Sequence, residues 1–252
     1  MIRLSYDLHV HSCLSPCAQD EMTPRNIAFL ADMLGLNAVA LTDHNSCKNA
    51  AAFFKAAEKT DIIPIAGMEL NTQEEIHTLC LFPELRAALA FDDEVVYPSL
   101  MRFKNREDKN GKQLVMDEND DITGREPLWL APATPIPLYS LAEKVKAYGG
   151  IMVPAHINRL SWGVISVLGD VPGDCGFDCV EVRGKEAVEN LKARYPYLNE
   201  CRIIHNSDAH KLDGISLPVN FIETEEKSAK GVIAALSKAA GGGRRAADGG
   251  RL

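Results

Sequence analysis

The chain has 252 residues, enough for one domain with its own core and short for two. At 46% hydrophobic and 25% charged residues, it has the composition of a globular protein rather than a disordered one. A net charge of −8, a pI near 5.4 and no apolar run of about 18 residues argue against nucleic acid and membrane as partners, and leave an anionic substrate to be met locally by metal ions and a few arginines.

The first predicted strand, 4–11, carries Asp7-Leu8-His9-Val10-His11-Ser12. Residues two apart on a strand share a side, so Asp7, His9 and His11 are expected on one face, with Leu8 and Val10 toward the core. Two adjacent imidazoles can begin a metal site; two histidines on an exposed strand face are the plain alternative. Thr23-Pro24 opens a helix that stops near Gly35, with Thr as N-cap and Pro in the first turn.

The strand 38–42 runs into Thr42-Asp43-His44-Asn45, polar residues where a buried strand ends. Sites in α/β folds gather at such carboxyl ends, although Asp and Asn are also common turn residues. The strand 62–66 is followed by Gly67-Met68-Glu69. A carboxylate there needs a partner, either a cation or a salt bridge. His77 starts the strand 77–82, and His156 follows the strand 151–155; taken singly, such a histidine is more often a hydrogen-bonded structural residue than a ligand.

Between them, residues 84–137 break the strand–helix rhythm. The stretch is rich in charge and reads as a small surface insertion with a hairpin pairing 113–116 with 128–130. Ser140-Leu141-Ala142-Glu143 is a capping-box start for a helix ending at Gly149-Gly150. Strands at 179–182, 203–206 and 219–222 complete the pattern, and Asp208 and His210 repeat the i, i+2 spacing after the second of these. The alternation predicts an α/β fold, a barrel or a doubly wound sheet, as one domain over 1–240. The glycine- and arginine-rich segment 241–252 reads as a flexible tail.

Nearly every histidine stands at the edge of an apolar strand, so one rim can collect them with Asp and Glu, as a multinuclear metal site requires. The ordered set Asp-Leu-His-x-His-Ser, Thr-Asp-His-Asn, Gly-Met-Glu and Ser-Asp-Ala-His, from Asp7 to His210, resembles the PHP (polymerase and histidinol phosphatase) family. The resemblance implies a distorted (β/α)7 barrel with a trinuclear centre of manganese, iron or zinc at one mouth. It implies His9, His11 and Asp208 as ligands of a first metal and Glu69 as a bridge. His77 and His156 fall to a second metal, and His44 and His210 to a third. The remaining acidic ligand falls in Ser15-Pro16-Cys17-Ala18-Gln19-Asp20-Glu21, where Asp20 fits best by its distance to Thr23-Pro24 and Glu21 is the alternative.

The expected activity is phosphate-ester hydrolysis of a small phosphorylated metabolite or nucleotide. A metal-bound hydroxide at a centre of about two to three divalent ions attacks phosphorus, with no side-chain nucleophile. Arg159 and Arg183, each just past a strand, are candidates to hold the substrate phosphate. An amidohydrolase-like C–N hydrolase and a non-enzymatic metal-bound regulatory module are the competing readings. His205, three residues from Asp208, is expected to face away from the metals as a core or supporting histidine. Seven irregularly spaced cysteines and the lack of an apolar leader suggest the cytosol rather than a disulfide framework, with Cys13, Cys17 and Cys47 close to the expected site.

Overall fold

The computed structural model describes residues 1–237, so the expected tail at 241–252 lies outside the described residues. Among the described residues ten strands form: β1 (Ile2–Val10), β2 (Ala38–His44), β3 (Ile63–Asn71), β4 (His77–Phe82), β5 (Leu114–Met116), β6 (Ile122–Arg125), β7 (Ile151–Pro154), β8 (Cys179–Glu181), β9 (Arg202–Ile204) and β10 (Phe221–Thr224). The helices are α1 (Pro24–Met33), α2 (Ala50–Ala57), α3 (Leu85–Phe91), α4 (Glu107–Asn110), α5 (Leu138–Ala147), α6 (Val164–Leu168), α7 (Val188–Arg194) and α8 (Ala229–Leu236).

Six strands form a curled half-barrel in the order β10-β1-β2-β3-β4-β7. β1, β2 and β3 are parallel, β4 runs against both β3 and β7, and β8 and β9 form a separate parallel pair. Backbone bonds carry the curl onward: Ile157 N–H donates to the Glu181 carbonyl (2.9 Å), and Val10 bridges Ala209 in parallel. The expected α/β barrel architecture is thus present, with β4 and β10 each running against their neighbours in the sheet. Among the described residues, no helix is long and apolar enough to cross a membrane.

Local chemistry explains the element ends. Thr23 caps α1, its hydroxyl accepting from Asn26 N–H (3.1 Å), and Gly35 (φ 81°) supplies the left-handed residue that closes it. α5 starts two residues before the expected Ser140, because the Glu74 carboxylate reaches in to accept from Leu138 N–H (3.0 Å). That acceptor from another element satisfies a first-turn amide that a local cap would otherwise serve. The hairpin in the 84–137 stretch pairs β5 with β6 rather than with 128–130; the turn is tightened by Asp117, which accepts from Asn119 and Asp121 N–H. The same stretch sends Phe91, Val96, Leu100, Leu130 and Ile136 into the largest apolar cluster.

Simple alternation fails in β1. A register shift between Asp7 and Val10 interrupts its ladder with β2. Leu8 joins the cluster that contains Val232 and Leu236 of α8, whereas Val10 joins the one under α1 and α2. Asp7 leaves the histidine face as well: its carboxylate accepts from Ser207 N–H and Ser216 N–H (both 3.1 Å) and so anchors the loop that carries Asp208.

Asp92, buried at the end of α3, accepts from Cys47 N–H (2.6 Å) and Ser46 Oγ–H (3.0 Å). Burial pushes its carboxyl up to about 6 despite these donors. An unfolded Asp titrates near about 3.9, so between about pH 4 and pH 6 the folded chain holds the extra proton and stability falls as pH rises. Asp92→Asn removes this titration. The variant is expected to gain on the parent by on the order of 2 kcal/mol between about pH 4 and about pH 7. Urea unfolding at both pH values checks it; an unchanged difference between the two proteins would refute the assignment.

Candidate metal centre

The parallel strands end at one rim, and the side chains gathered there come from their carboxyl ends. His9 lies on β1 with His11 just beyond it, His44 ends β2, and Glu69 lies across from His44 in the β2–β3 register. β4 runs the other way, so it is its first residue, His77, that reaches the same rim. His156 follows β7, Glu181 ends β8, and Asp208 and His210 follow β9. His156 (φ 30°) and Asp208 (φ 55°) hold backbone conformations that non-glycine residues seldom adopt, the kind of strain that collects at functional sites.

Glu69 is the hub. Its buried carboxylate is approached by five imidazoles: His77 Nδ1 at 2.9 Å, His156 Nε2 at 3.0 Å, His44 Nδ1 at 3.1 Å, and His9 and His11 Nε2 at 3.3 Å each. Burial would raise its pKa, but the neighbouring histidines, His77 foremost, hold it well below the usual carboxylate range.

The surrounding network sets the tautomers of two histidines. His9 Nδ1 lies 3.0 Å from Glu181 Oε2, which also accepts from Asn206 Nδ2–H (2.8 Å), while Oε1 accepts from His156 N–H (3.1 Å). Glu181 is buried; burial works against its charge, yet His9 and these donors keep it below its ordinary value. As an ionised carboxylate it only accepts, so His9 Nδ1 carries the hydrogen. Ser15 Oγ–H donates to Asp43 (2.6 Å), itself held by Ser12 N–H and Oγ–H; Ser15 therefore accepts from His11 Nδ1 (2.9 Å) and from His44 N–H (3.1 Å).

Both Nε2 atoms then present lone pairs to each other at 3.1 Å, with Asp208 Oδ1 3.4 Å from each. Such an arrangement repels unless a proton or cation stands between. Metal–nitrogen and metal–oxygen bonds of about 2.0–2.2 Å put the donors of one ion roughly 3.0–3.4 Å apart, the spacing of His9, His11, Glu69 and Asp208. The donor set fits a divalent ion. Two further groups, His44 with Glu69 and His77, and His11 with His44 and His210, hold their donor atoms within 4.8 Å of one another.

The electrostatics agree. Burial alone would depress His11, but Asp208 and Glu69 carry it up to about 9; His9 is raised well above its ordinary value against the same penalty by Glu181, Glu69 and Asp208. These acceptor-rich positions call for positive charge. His44 is pushed well down by burial and by the crowding of the imidazoles around it, His11 foremost, and His210 falls to about 4 through burial and His11. Both are neutral at pH 7, the form that coordinates metal.

Of the residues expected here, His9, His11, His44, Glu69, His77, His156, Asp208 and His210 converge. Asp20 does not. It is exposed and ion-paired with Lys112, and Glu21 is exposed too. The turn explains this: Gln19 N–H donates to the His210 carbonyl (2.9 Å) and Met22 N–H to the Gln19 carbonyl, so the loop passes the rim and turns Asp20 outward. Cys17 from the same loop lines the cavity instead, while Cys13 and Cys47 are buried away from it. His205 Nδ1–H donates to the Val182 carbonyl (2.7 Å), outside the cluster.

Arg159 and Arg183 line the same cavity of about 490 Å³, and Arg159 Nη1 stands 3.4 Å from Asp208 Oδ2. Their loops are locked together: Asn158 Oδ1 accepts from Arg183 N–H (2.9 Å), and its Nδ2–H donates to the Arg183 carbonyl (2.8 Å). Sequence reasoning missed Glu181, Asp43, Ser15 and Trp162. Glu181 carried the one usable signal, an acid ending the apolar strand Cys179-Val180.

Comparison with known proteins agrees with this geometry. The family model described as PHP domain matches residues 7–245. No curated protein gives a significant sequence match. Among solved structures, the lesion-specific endonuclease PfuEndoQ from Pyrococcus furiosus superposes with a TM-score of 0.63 at 20% identity, covering 96% of this chain and 57% of that one. Endonuclease Q bound to a 27-mer duplex with an abasic lesion at its active site gives 0.64 at 19% identity, covering 96% and 58%. This chain thus spans under two thirds of those endonucleases. A protein assigned as a metal-dependent phosphoesterase from Bifidobacterium adolescentis gives 0.55 at 18% identity, covering 85% and 91%. The expectation of no nucleic-acid partner is corrected by the duplex held in Endonuclease Q. Net charge sums the whole surface, whereas a phosphate meets only the ions and arginines at one mouth.

Proposed function

This chain belongs to the PHP domain family of metal-dependent hydrolases, and from that premise we propose that it hydrolyses phosphate esters at a centre of two to three divalent ions. The observation that carries the reading is the single carboxylate of Glu69 met by five imidazoles at the floor of a cavity whose mouth holds two arginines. In this reading His9, His11, Glu69 and Asp208 hold one ion. His77 and His156, beside Glu69, would hold a second, and His44 and His210 would hold a third. Manganese, iron and zinc all suit the mixed nitrogen and oxygen donors. Bound divalent ions lower the pKa of water and neutralise phosphoryl oxygens.

The chain's own groups do the rest. Arg159 and Arg183 orient the phosphate by forked hydrogen bonds, and the Asn158 clamp keeps both loops in one geometry. Asp208 steadies Arg159 while facing the histidines with its other oxygen. Glu181 and the Asp43–Ser15 pair keep hydrogen on the outer nitrogens of His9 and His11, so that the inner ones stay free to coordinate. The substrate class extends to nucleotides, free or in a strand.

His9→Ala and Asp208→Ala are expected to lose at least about a hundredfold in hydrolysis of generic phosphomonoesters and diesters, and to retain less metal by elemental analysis. Full activity in either variant, or under one ion per parent chain after reconstitution, would sink the proposal.

A further inference from the structure

Trp162 has no part in the chemistry above, yet it stands at the same cavity. It is 39% exposed there. Its backbone is left-handed (φ 59°), a rare state for a bulky aromatic residue. Two features hold that conformation. His77 N–H donates to the Trp162 carbonyl (2.9 Å), tying the loop to the metal-side strand β4. Gly163 lets the chain double back; a Cβ there would lie 2.7 Å from the Arg159 carbonyl and 2.9 Å from that of Ile157.

The result is an indole set almost parallel to the His77 imidazole, with centroids 5.3 Å apart and planes 15° apart. The Arg159 guanidinium lies 5.2 Å from the ring centre. A flat aromatic surface, a phosphate-binding arginine and the metal ligands thus share one wall.

We propose that Trp162 is the specificity-determining contact of this site, a shelf on which the nucleobase next to the scissile phosphate stacks. The proposal rests on the phosphoesterase reading above and names its substrate class: nucleotidyl phosphates, supplied as a free nucleotide or as the end of a single strand. Anion-binding arginines alone would take any phosphate ester, but a partly exposed indole beside them adds affinity only for a substrate with a planar ring.

The chain has two tryptophans, Trp129 and Trp162, so Trp129→Phe leaves a protein whose indole emission reports Trp162 alone. In that protein, adenosine monophosphate is expected to quench emission saturably, and ribose 5-phosphate to leave it unchanged. A thymidine tetranucleotide is the strand arm: quenching by it assigns a strand, quenching by the mononucleotide alone assigns a free nucleotide, and both outcomes support the shelf. In parallel, Trp162→Ala is expected to lower the ratio of kcat/KM for a nucleotide over a ring-less ester by about tenfold, with Trp162→Phe restoring most of it. Using the ratio cancels any general damage to His77. Equal quenching by ribose 5-phosphate, no quenching by either nucleotide probe, or an unchanged ratio would overturn the shelf. Hydrolysis persisting beside those results would leave the phosphoesterase reading intact, whereas loss of hydrolysis in the parent protein would remove that reading itself.

Discussion

Glu69→Gln is expected to lower kcat/KM for phosphate-ester hydrolysis by at least about a thousandfold and to strip the centre of metal, a larger effect than the ten- to hundredfold typical of an outer hydrogen-bonding partner. Glutamine keeps the volume and removes the charge. In this position the charge is what matters, because five imidazoles converge on the carboxylate from four other elements of the fold. An amide also turns one acceptor into a donor, and that donor must face either the His77 and His156 side or the His11 and His44 side. Whichever side it faces loses the lone pairs that divalent ions need. The variant is expected to melt below the parent in metal-free buffer as well, since His9 and His11 lose a buried counter-charge. Elemental analysis, steady-state kinetics and a thermal melt test the three parts. A variant that keeps its metal and a tenth or more of parental activity would show that Glu69 is not the hub.

The second large effect is expected at Glu181, which touches no substrate. Its two oxygens accept from His9, Asn206 and the backbone of His156, three separate parts of the rim. Glu181→Gln must point its NH₂ at one of these donors, so at least one bond becomes a repulsion. Zinc affinity measured by chelator competition is expected to fall about ten- to hundredfold. The effect has a signature that a general loss of stability would not produce: in nitrogen NMR spectra the hydrogen of the His9 imidazole, held on Nδ1 in the parent, is expected to distribute between both nitrogens. Unchanged affinity with an unchanged His9 tautomer would reduce Glu181 to a packing role. Asn206 provides a milder check. It joins Leu8 N–H to Glu181 through its amide, so Asn206→Ala is expected to act in the same direction with a smaller change.

Much of this molecule was legible in the order of its residues. The apolar runs before His44, Glu69, His156 and Asp208 each become a strand, and polar side chains at the carboxyl ends of parallel strands meet at one rim in any α/β barrel. That rule is local in sequence and general in space; with the family resemblance, which also named His77 at the first residue of the reversed strand β4, it brought out the eight expected ligands that converge. It also anticipated Arg159 and Arg183, because residues just past such strands line the same mouth.

What escaped depended on contacts between distant segments. Asp20 and Cys17 stand three residues apart in one loop, and only the bond from Gln19 to the His210 carbonyl decides which of them faces the cavity. The role of Glu181 needs His9, 172 positions away, and the early start of α5 needs Glu74. Trp162 looks like any loop aromatic until His77 stacks against it. The residue pattern by itself determined the fold class and the donors that reach the rim, because strand periodicity and burial act within a few residues. Tertiary structure alone decided which nitrogen each histidine offers, which acid is left at the surface and which ring flanks the cavity, because a hydrogen bond or a stack exists only once both partners have been brought within about 3–5 Å.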